Sequence, residues 1–347
     1  MLAAETKAVE VVPTAATELA RSWKQIAEPV GPFLSEVTQR LAEQVQSFDP
    51  EIVPYARYAL TNQGKQLRPV LVALSAGIQD DKSNDNLVTV AVIIEMIHLA
   101  TLVHDDIMDE AVLRRRRPTL AVNWGNQVSV LLGDCLFAHA LKLAASFPTP
   151  EVCRAVAAAT KTVCSGEILQ THRERQFEIS RSDYFNILEM KTAELFALSC
   201  ELGSWLSGTN GSQRAALRKY GITLGTAYQI YDDCVDLFGS EASVGKSLGT
   251  DLAKGKLTLP MLVTWERANG ADRGRLQELV ERWDGRQFGP VLTLLVKYHA
   301  LEESQRIIHQ FLEAARHCLE PLPESENRSA LAALTVFLAQ QTDGLGV

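Results

Sequence analysis

The chain has 347 residues, with 34 Lys plus Arg against 42 Asp plus Glu and a formal net charge of -8. That balance excludes a general electrostatic attraction to nucleic acid or to an anionic bilayer, so any anionic ligand must be held by local basic clusters. Hydrophobic residues make up 46% of the chain, enough for a large interior, and the six cysteines are scattered without a C-x-x-C pair, which fits a reducing cytoplasm and no zinc.

In chain order, the opening MLAAETKAVEVVPTAA carries Glu5, Lys7 and Glu10 where a secretory signal needs an apolar run. Residues 1–18 are therefore expected to form a loose tail and residues 19–347 one all-helical domain. Apolar residues recur at three- and four-residue spacings almost throughout, which predicts an all-α protein. The helices are expected near 20–46, 51–63, 67–78, 84–110, 119–146, 150–175, 183–207, 212–238, 257–268, 273–283, 288–298, 301–318 and 327–341. DPE at 49, FPTPE at 147, SGTNGS at 207 and PLPESEN at 321 punctuate them with turn and cap chemistry. The most membrane-like stretch, Leu87–Val103, contains Glu95 and His98 and falls short of the roughly 20 residues a span requires. It reads as a buried core helix, and no stable membrane insertion is expected.

That apolar stretch runs into HLATLVHDDIMDEAVLRRRRPT, residues 98–119. On a helix Asp105 and Asp109 share a face, with Asp106 about 100° round. Like charges at that spacing destabilise a bare helix, and a hard divalent cation reverses the sign because Mg²⁺ prefers carboxylate and phosphate oxygens. QIYDDCVD repeats the spacing with Asp232, Asp233 and Asp236 on a second apolar helix, so two clusters can face each other across a bundle and hold metal ions between them. Basic residues accompany both: Arg114 and Arg115, Lys246 and Lys256, Lys65 and Arg68 in NQGKQLRP, and Lys191. Metal with Arg and Lys is the pattern for phosphate or diphosphate groups. G-x-x-x-x-G-K-[ST] is absent, which leaves a nucleotide P-loop unsupported.

GKQLRP, EMIHLATLVHDDIMDEAVLRR, GEILQ, KTAELF and YQIYDDCVDLFG through GKLTLP stand in one order between about Gly64 and Phe337. The chain thereby resembles the trans-isoprenyl diphosphate synthases, of medium- or long-chain type. The resemblance implies an isoprenoid synthase-type helical bundle around a deep central cavity, usually a cytoplasmic homodimer. It implies that Asp105, Asp106, Asp109, Asp232, Asp233 and Asp236 bind a cluster of about three Mg²⁺ ions, for which Mn²⁺ can substitute. Arg114, Lys191, Lys246 and Lys256 would grip the allylic diphosphate. Lys65, Arg68, His98 and Arg115 would bind isopentenyl diphosphate, and Thr192 and Gln229 would stand near the developing carbocation. Two departures are visible: Arg116 occupies a position where the family usually has glycine, and the chain closes with AQQTDGLGV in place of an arginine-bearing ending.

The resemblance also bears on product length. A helical turn of about 5.4 Å is close to one extended isoprene unit, so a side chain one turn before the first aspartate acts as a floor for the growing chain. Short-chain relatives often carry an aromatic there, whereas this chain has Ala100 and Thr101, and only Ile107 and Met108 separate Asp106 from Asp109. The expectation is a product longer than geranylgeranyl diphosphate, of the kind used for quinone side chains, made from a farnesyl or geranylgeranyl primer. The alternatives are a short-chain synthase, a class I terpene cyclase, which would replace the second aspartate cluster, and a silent regulatory subunit, which would have eroded aspartates. Glu167 and Gln170 are read equally as cavity wall or helix packing, and His104 as structural.

Overall fold

The structure, a computed structural model, describes residues 23–61, 64–77, 85–240 and 248–346. The expected tail at 1–18 and the expected diphosphate ligand Lys246 lie outside the described residues.

The helices are α1 (Gly31–Gln44), α2 (Val53–Leu60), α3 (Leu67–Ala76), α4 (Asp85–Met108), α5 (Leu120–Ala145), α6 (Glu151–His172), α7 (Arg181–Leu188), α8 (Glu194–Leu206), α9 (Gly211–Phe238), α10 (Thr250–Ala253), α11 (Leu259–Arg267), α12 (Gly270–Glu281), α13 (Phe288–Lys297), α14 (Ala300–Cys318) and α15 (Glu326–Asp343). Among the described residues the all-α expectation holds apart from a two-stranded hairpin, β1 (Leu113–Arg114) and β2 (Arg117–Pro118), in which Leu113 pairs with Pro118 and Arg114 with Arg117. The most extensive helix packing joins α4 to α5, α9 to α8 and α14, and α3 to α8. Helix α4 is apolar on nearly every side, with Val88, Val92, Ile93, Ile94, Met96 and Ile97 at most 1% exposed, as expected of a helix surrounded by neighbours.

Side-chain capping sets several helix starts where the sequence has Ser, Thr or Asn. Thr119, Ser180, Asn210, Asn269 and Ser325 each accept a bond from the backbone N–H three residues on, which satisfies one of the first-turn donors. Two expectations need correction. The apolar stretch around 87–103 is part of a 24-residue helix that is long and apolar enough to cross a membrane, as is α5. In α4, however, 72% of the apolar window is buried inside the protein, so neighbouring helices occupy the place of lipid. The single helix expected over 183–207 is broken by a π-helical turn, Glu189–Ala193, between α7 and α8.

That turn is built by close approach. A Cβ on Gly166 of α6 would lie 2.7 Å from the backbone nitrogen of Lys191, and one on Gly225 of α9 would lie 2.6 Å from Ala193 Cα. Two glycines thus let α6 and α9 clamp the π turn from either side. Such turns widen the helix and often mark functional sites; this one presents Lys191 and Thr192.

Candidate active site

A cavity of about 620 Å³ opens between α4, α6, the π turn and α9. Asp105 from α4, Asp109 just beyond its end and Asp232 from α9 line it, together with Glu167 of α6 and Asp251 of α10. Arg68, His98, Arg114, Arg115, Lys191, Thr192, Gln229 and Lys256 complete its polar wall. Thr101, Leu102, Phe137, Val163, Ile168 and Leu195 continue it as a largely apolar one.

Three of the six expected aspartates do not line this cavity. Asp106 is 5% exposed and accepts a bond from Arg114 Nε at 2.6 Å. Asp233, also 5% exposed, accepts from Tyr184 Oη at 2.6 Å and from Gln229 Nε2 at 2.8 Å. Asp236 is fully buried; its carboxylate accepts from the Thr250 hydroxyl at 2.7 Å and from the backbone N–H groups of Thr250 and Asp251 at 3.2 and 3.1 Å. It therefore holds the start of α10 and the segment leading to Lys256. Adjacent residues on a helix point 100° apart, which separates Asp106 from Asp105 and Asp233 from Asp232, whereas Asp236, on the same side as Asp232, is held by the start of α10.

The wall carboxylates are electrostatically strained. Burial, set against relief from Lys191 and aggravated by Glu167 and Asp109, pushes the Asp105 carboxyl up to about 6. Burial works against the charge of Lys256 too, but Asp109 and Asp251 outweigh it and hold its ammonium above its ordinary range. Lys256 Nζ stands 2.8 Å from Asp109 Oδ1. Lys191 Nζ lies 2.6 Å from Glu167 Oε2 and donates to Gln170 Oε1 at 2.8 Å. Both residues of GEILQ thus position a site lysine, and Glu167 also stands on the wall.

A second basic group lines the same cavity. Burial, reinforced by the positive charges of Arg68, Arg115 and Arg114, pushes the His98 imidazole well below its usual range, so it is neutral at physiological pH. Arg68 stacks over the Phe196 ring at 5.1 Å, and its buried Nε has no hydrogen-bond partner among the described residues. That is a costly state for a guanidinium and one that an incoming anion would relieve. Buried Glu95 of α4 opposes the positive charge of Arg68 and Arg115. Arg115 folds over Gly64, where a Cβ would meet its guanidinium at 2.6 Å. Lys65 does not line the cavity; its ammonium lies over Phe337 of α15 at 5.6 Å.

At the floor positions the structure divides the expected pair. Thr101 lines the cavity, whereas Ala100 is fully buried in the core, because adjacent residues on a helix point 100° apart. Phe137 of α5 also stands on the wall, 5.7 Å ring to ring from His104. His104 lines the cavity, with Nε2 3.1 Å from the Val130 carbonyl. Asp251 and Tyr184 stand outside every motif that the sequence displays. A lone acid among the lysines of GTDLAKGK was a signal for the first, and nothing in the sequence pointed to the second.

A sequence profile described as Polyprenyl synthetase matches residues 49–288. Among curated proteins, the octaprenyl diphosphate synthase of Haemophilus influenzae is 32% identical over 311 residues, covering 89% of this chain and 94% of that protein. A short chain isoprenyl diphosphate synthase of Methanothermobacter thermautotrophicus is 32% identical over 308 residues, 87% of this chain and 94% of its own. Among solved structures, the polyprenyl synthase of Caulobacter crescentus complexed with calcium and isoprenyl diphosphate superposes with a TM-score of 0.85 at 31% identity, over 92% of this chain and 97% of that one.

Proposed function

The chain belongs to the polyprenyl synthetase family and is a prenyltransferase, and on that premise we propose that it condenses isopentenyl diphosphate with farnesyl or geranylgeranyl diphosphate into a trans-polyprenyl diphosphate longer than geranylgeranyl diphosphate. One observation carries the reading. A single cavity is lined by Asp105, Asp109 and Asp232, by the basic residues Arg68, Arg114, Arg115, Lys191 and Lys256, and by apolar side chains with Thr101 and Phe137 among them.

Mg²⁺ fits the carboxylate end. Asp105 is pushed up to about 6 chiefly by burial, with neighbouring carboxylates adding to the shift, and a divalent cation relieves both causes. Among the described residues no three carboxylates converge on one point, so each of the about three ions would take further oxygens from the diphosphate and from water. Asp105, Asp109 and Asp232 are the proposed ligands, and Asp106, Asp233 and Asp236 support them from behind. Bound Mg²⁺ supplies Lewis-acid neutralisation of the departing diphosphate.

The chain's own residues do the rest. Lys191, Lys256 and Arg114 receive the negative charge that builds on the allylic diphosphate as its C1–O bond ionises. Arg68, Arg115 and neutral His98 hold isopentenyl diphosphate, with Lys65 outside the cavity wall over Phe337 of α15. Its double bond attacks C1 of the allylic cation, and the proton lost from the resulting cation goes to the released diphosphate. The apolar wall of Leu102, Phe137, Val163, Ile168 and Leu195 excludes water from the cation and receives the tail.

Helix α5 exposes Val122, Val130 and Leu131 at 53%, 42% and 57%, and only 39% of its apolar window is buried. That exposed apolar surface, Val130 excepted because it lines the cavity, supports a homodimer, and light scattering at micromolar concentration would return a monomer mass if it is wrong. The function itself is tested by diphosphate release. Release should need both substrates and Mg²⁺. Release from the allylic substrate alone would point to a cyclase, and no release under any condition to a silent subunit.

A further inference from the structure

The run of four arginines from Arg114 to Arg117 is only half accounted for by the cavity. Arg114 and Arg115 line it, whereas Arg117 does not and is exposed. The Arg117 guanidinium stands over the ring of Tyr58 on α2, 4.6 Å from its centroid, within the range of a cation–π contact. The Tyr58 hydroxyl also donates to the Pro118 carbonyl at 2.6 Å. A carbonyl oxygen only accepts, so no titrating neighbour decides the direction of that bond. Tyr58 is braced in turn by Trp124 of α5, whose ring meets it edge-on at 5.0 Å. Strand β2 is thus held to α2 at both of its residues, Arg117 by its side chain and Pro118 by its carbonyl.

The hairpin requires such an anchor. It consists of two residue pairs, and Pro118 lacks the N–H that a strand ladder uses. Its turn residues Arg115 and Arg116 have φ of 52° and 62°, a conformation that a Cβ disfavours. A ribbon so short is not stable by itself. Strand β1 has its own hold, because Arg114 Nε donates to Asp106 at 2.6 Å. Thr119 closes the base, donating its N–H to the Val112 carbonyl at 3.0 Å and its hydroxyl to the Ala111 carbonyl at 2.8 Å. Strand β2 has Tyr58. Arg115 stands at the turn between the strands, so the place of its guanidinium depends on both holds. Tyr58, Arg114, Arg115 and Pro118 line a second, small cavity of about 40 Å³, which puts the tyrosine directly behind the two arginines of the main wall.

We propose that Tyr58 and Arg117 are positioning residues: they clamp β2 onto α2 and thereby keep Arg115 on the cavity wall, where it meets isopentenyl diphosphate. This rests on the prenyl-transfer reading given above. Neither Tyr58 nor Arg117 lines the main cavity, so both act only through the hairpin. The arginine run divides accordingly, with two members on the wall, Arg116 in the turn and Arg117 in the clamp.

The test is steady-state kinetics on the full-length protein with farnesyl and isopentenyl diphosphates and Mg²⁺, joined to a double-mutant cycle with Arg115. Tyr58→Phe keeps the ring and removes the donor, and Arg117→Gln keeps a polar surface residue and removes the cation. The first should raise KM for isopentenyl diphosphate about fivefold and the second about threefold. KM for farnesyl diphosphate should stay within about twofold, because Asp106 still holds Arg114. In an Arg115→Gln background either substitution should change the isopentenyl diphosphate KM by less than about twofold, since the group it acts through is gone. Should Tyr58→Phe fail to fold, Arg117→Gln, at an exposed position, carries the test by itself. Three results would overturn the proposal: an isopentenyl diphosphate KM unchanged in either folded variant, equal rises for both substrates together with a fall in melting temperature, or an effect that adds in full to that of Arg115→Gln. With active wild type, any of these overturns the positioning role alone. Inactive wild type would instead overturn the reading of function, and the positioning role with it.

Discussion

Lys256 and Asp109 lie 147 residues apart in sequence and 2.8 Å apart in space. Their ion pair joins the end of α4 to the loop after α10, and the neighbouring Lys254 and Glu110 repeat the link at 3.5 Å. The pair holds a cation and a carboxylate on the cavity wall, so both are in place when a metal-bound diphosphate arrives. Lys256→Met should lower kcat by about a hundredfold or more, because it removes a preorganised charge from the leaving group. Steady-state kinetics checks this, and a change confined to KM would mean that the lysine contributes only to uniform binding.

The hairpin turn makes a separate prediction. Arg115 and Arg116 have φ of 52° and 62°, the left-handed region that Asn and Gly usually fill in two-residue hairpins. Each non-glycine residue there costs about 1–2 kcal/mol. Arg115 is also a wall residue, whereas Arg116 is exposed and does not line the cavity. Arg116→Gly should therefore raise stability by up to about 1 kcal/mol and leave turnover unchanged. A lower melting temperature, or a loss of activity, would show that the Arg116 side chain makes a contribution of its own.

The turn also shows where reading the sequence stops. Helical periodicity located α4 and α9 and both aspartate clusters, because long amphipathic or wholly apolar helices impose a strong repeat. It could not locate a two-residue strand or a single π turn, which are too short to have a period. Nor could spacing tell Asp105 from Asp106, or Thr101 from Ala100. Which face of α4 looks into the cavity is decided by how α5, α6 and α9 close around it. The partners of Asp233 and Asp236 were illegible for a further reason: Tyr184 and Thr250 stand 49 and 14 residues away from them.

Those partners predict a division of labour between the aspartates of α9. Asp232→Asn should weaken binding of Mg²⁺ with a diphosphate, measured by calorimetry, with little change in melting temperature. Asp236→Asn should do the reverse, because it removes a capping acceptor worth about 1 kcal/mol and not a proposed metal ligand. Equal loss of metal binding in both variants would return Asp236 to the ligand set.

The pH dependence of the metal-free protein has a definite sign. Asp105 is pushed up to about 6 and Asp233 to about 8, each chiefly by burial, from an ordinary value near 3.9. Between those limits the folded state binds more protons than the unfolded one, so these groups make stability fall as pH rises. For Asp105 alone the loss is roughly 3 kcal/mol between about pH 4 and pH 6. In chelator the melting temperature should decline from pH 5 to pH 8, and Mg²⁺ with diphosphate should restore most of it. A melting temperature that rises over that interval would contradict the strained-carboxylate account.

The central claim is that the cavity holds an allylic diphosphate at its carboxylate end and leaves the apolar end open past Thr101. The chain length of the product, read by reverse-phase chromatography for wild type and Thr101→Phe with the same primer and Mg²⁺, tests it most directly. Wild type should extend the chain beyond geranylgeranyl diphosphate, and the phenylalanine ring, placed on the wall where Thr101 now stands, should shorten it. A wild-type product that stops at geranylgeranyl diphosphate, or a distribution that the substitution leaves unmoved, would contradict the account.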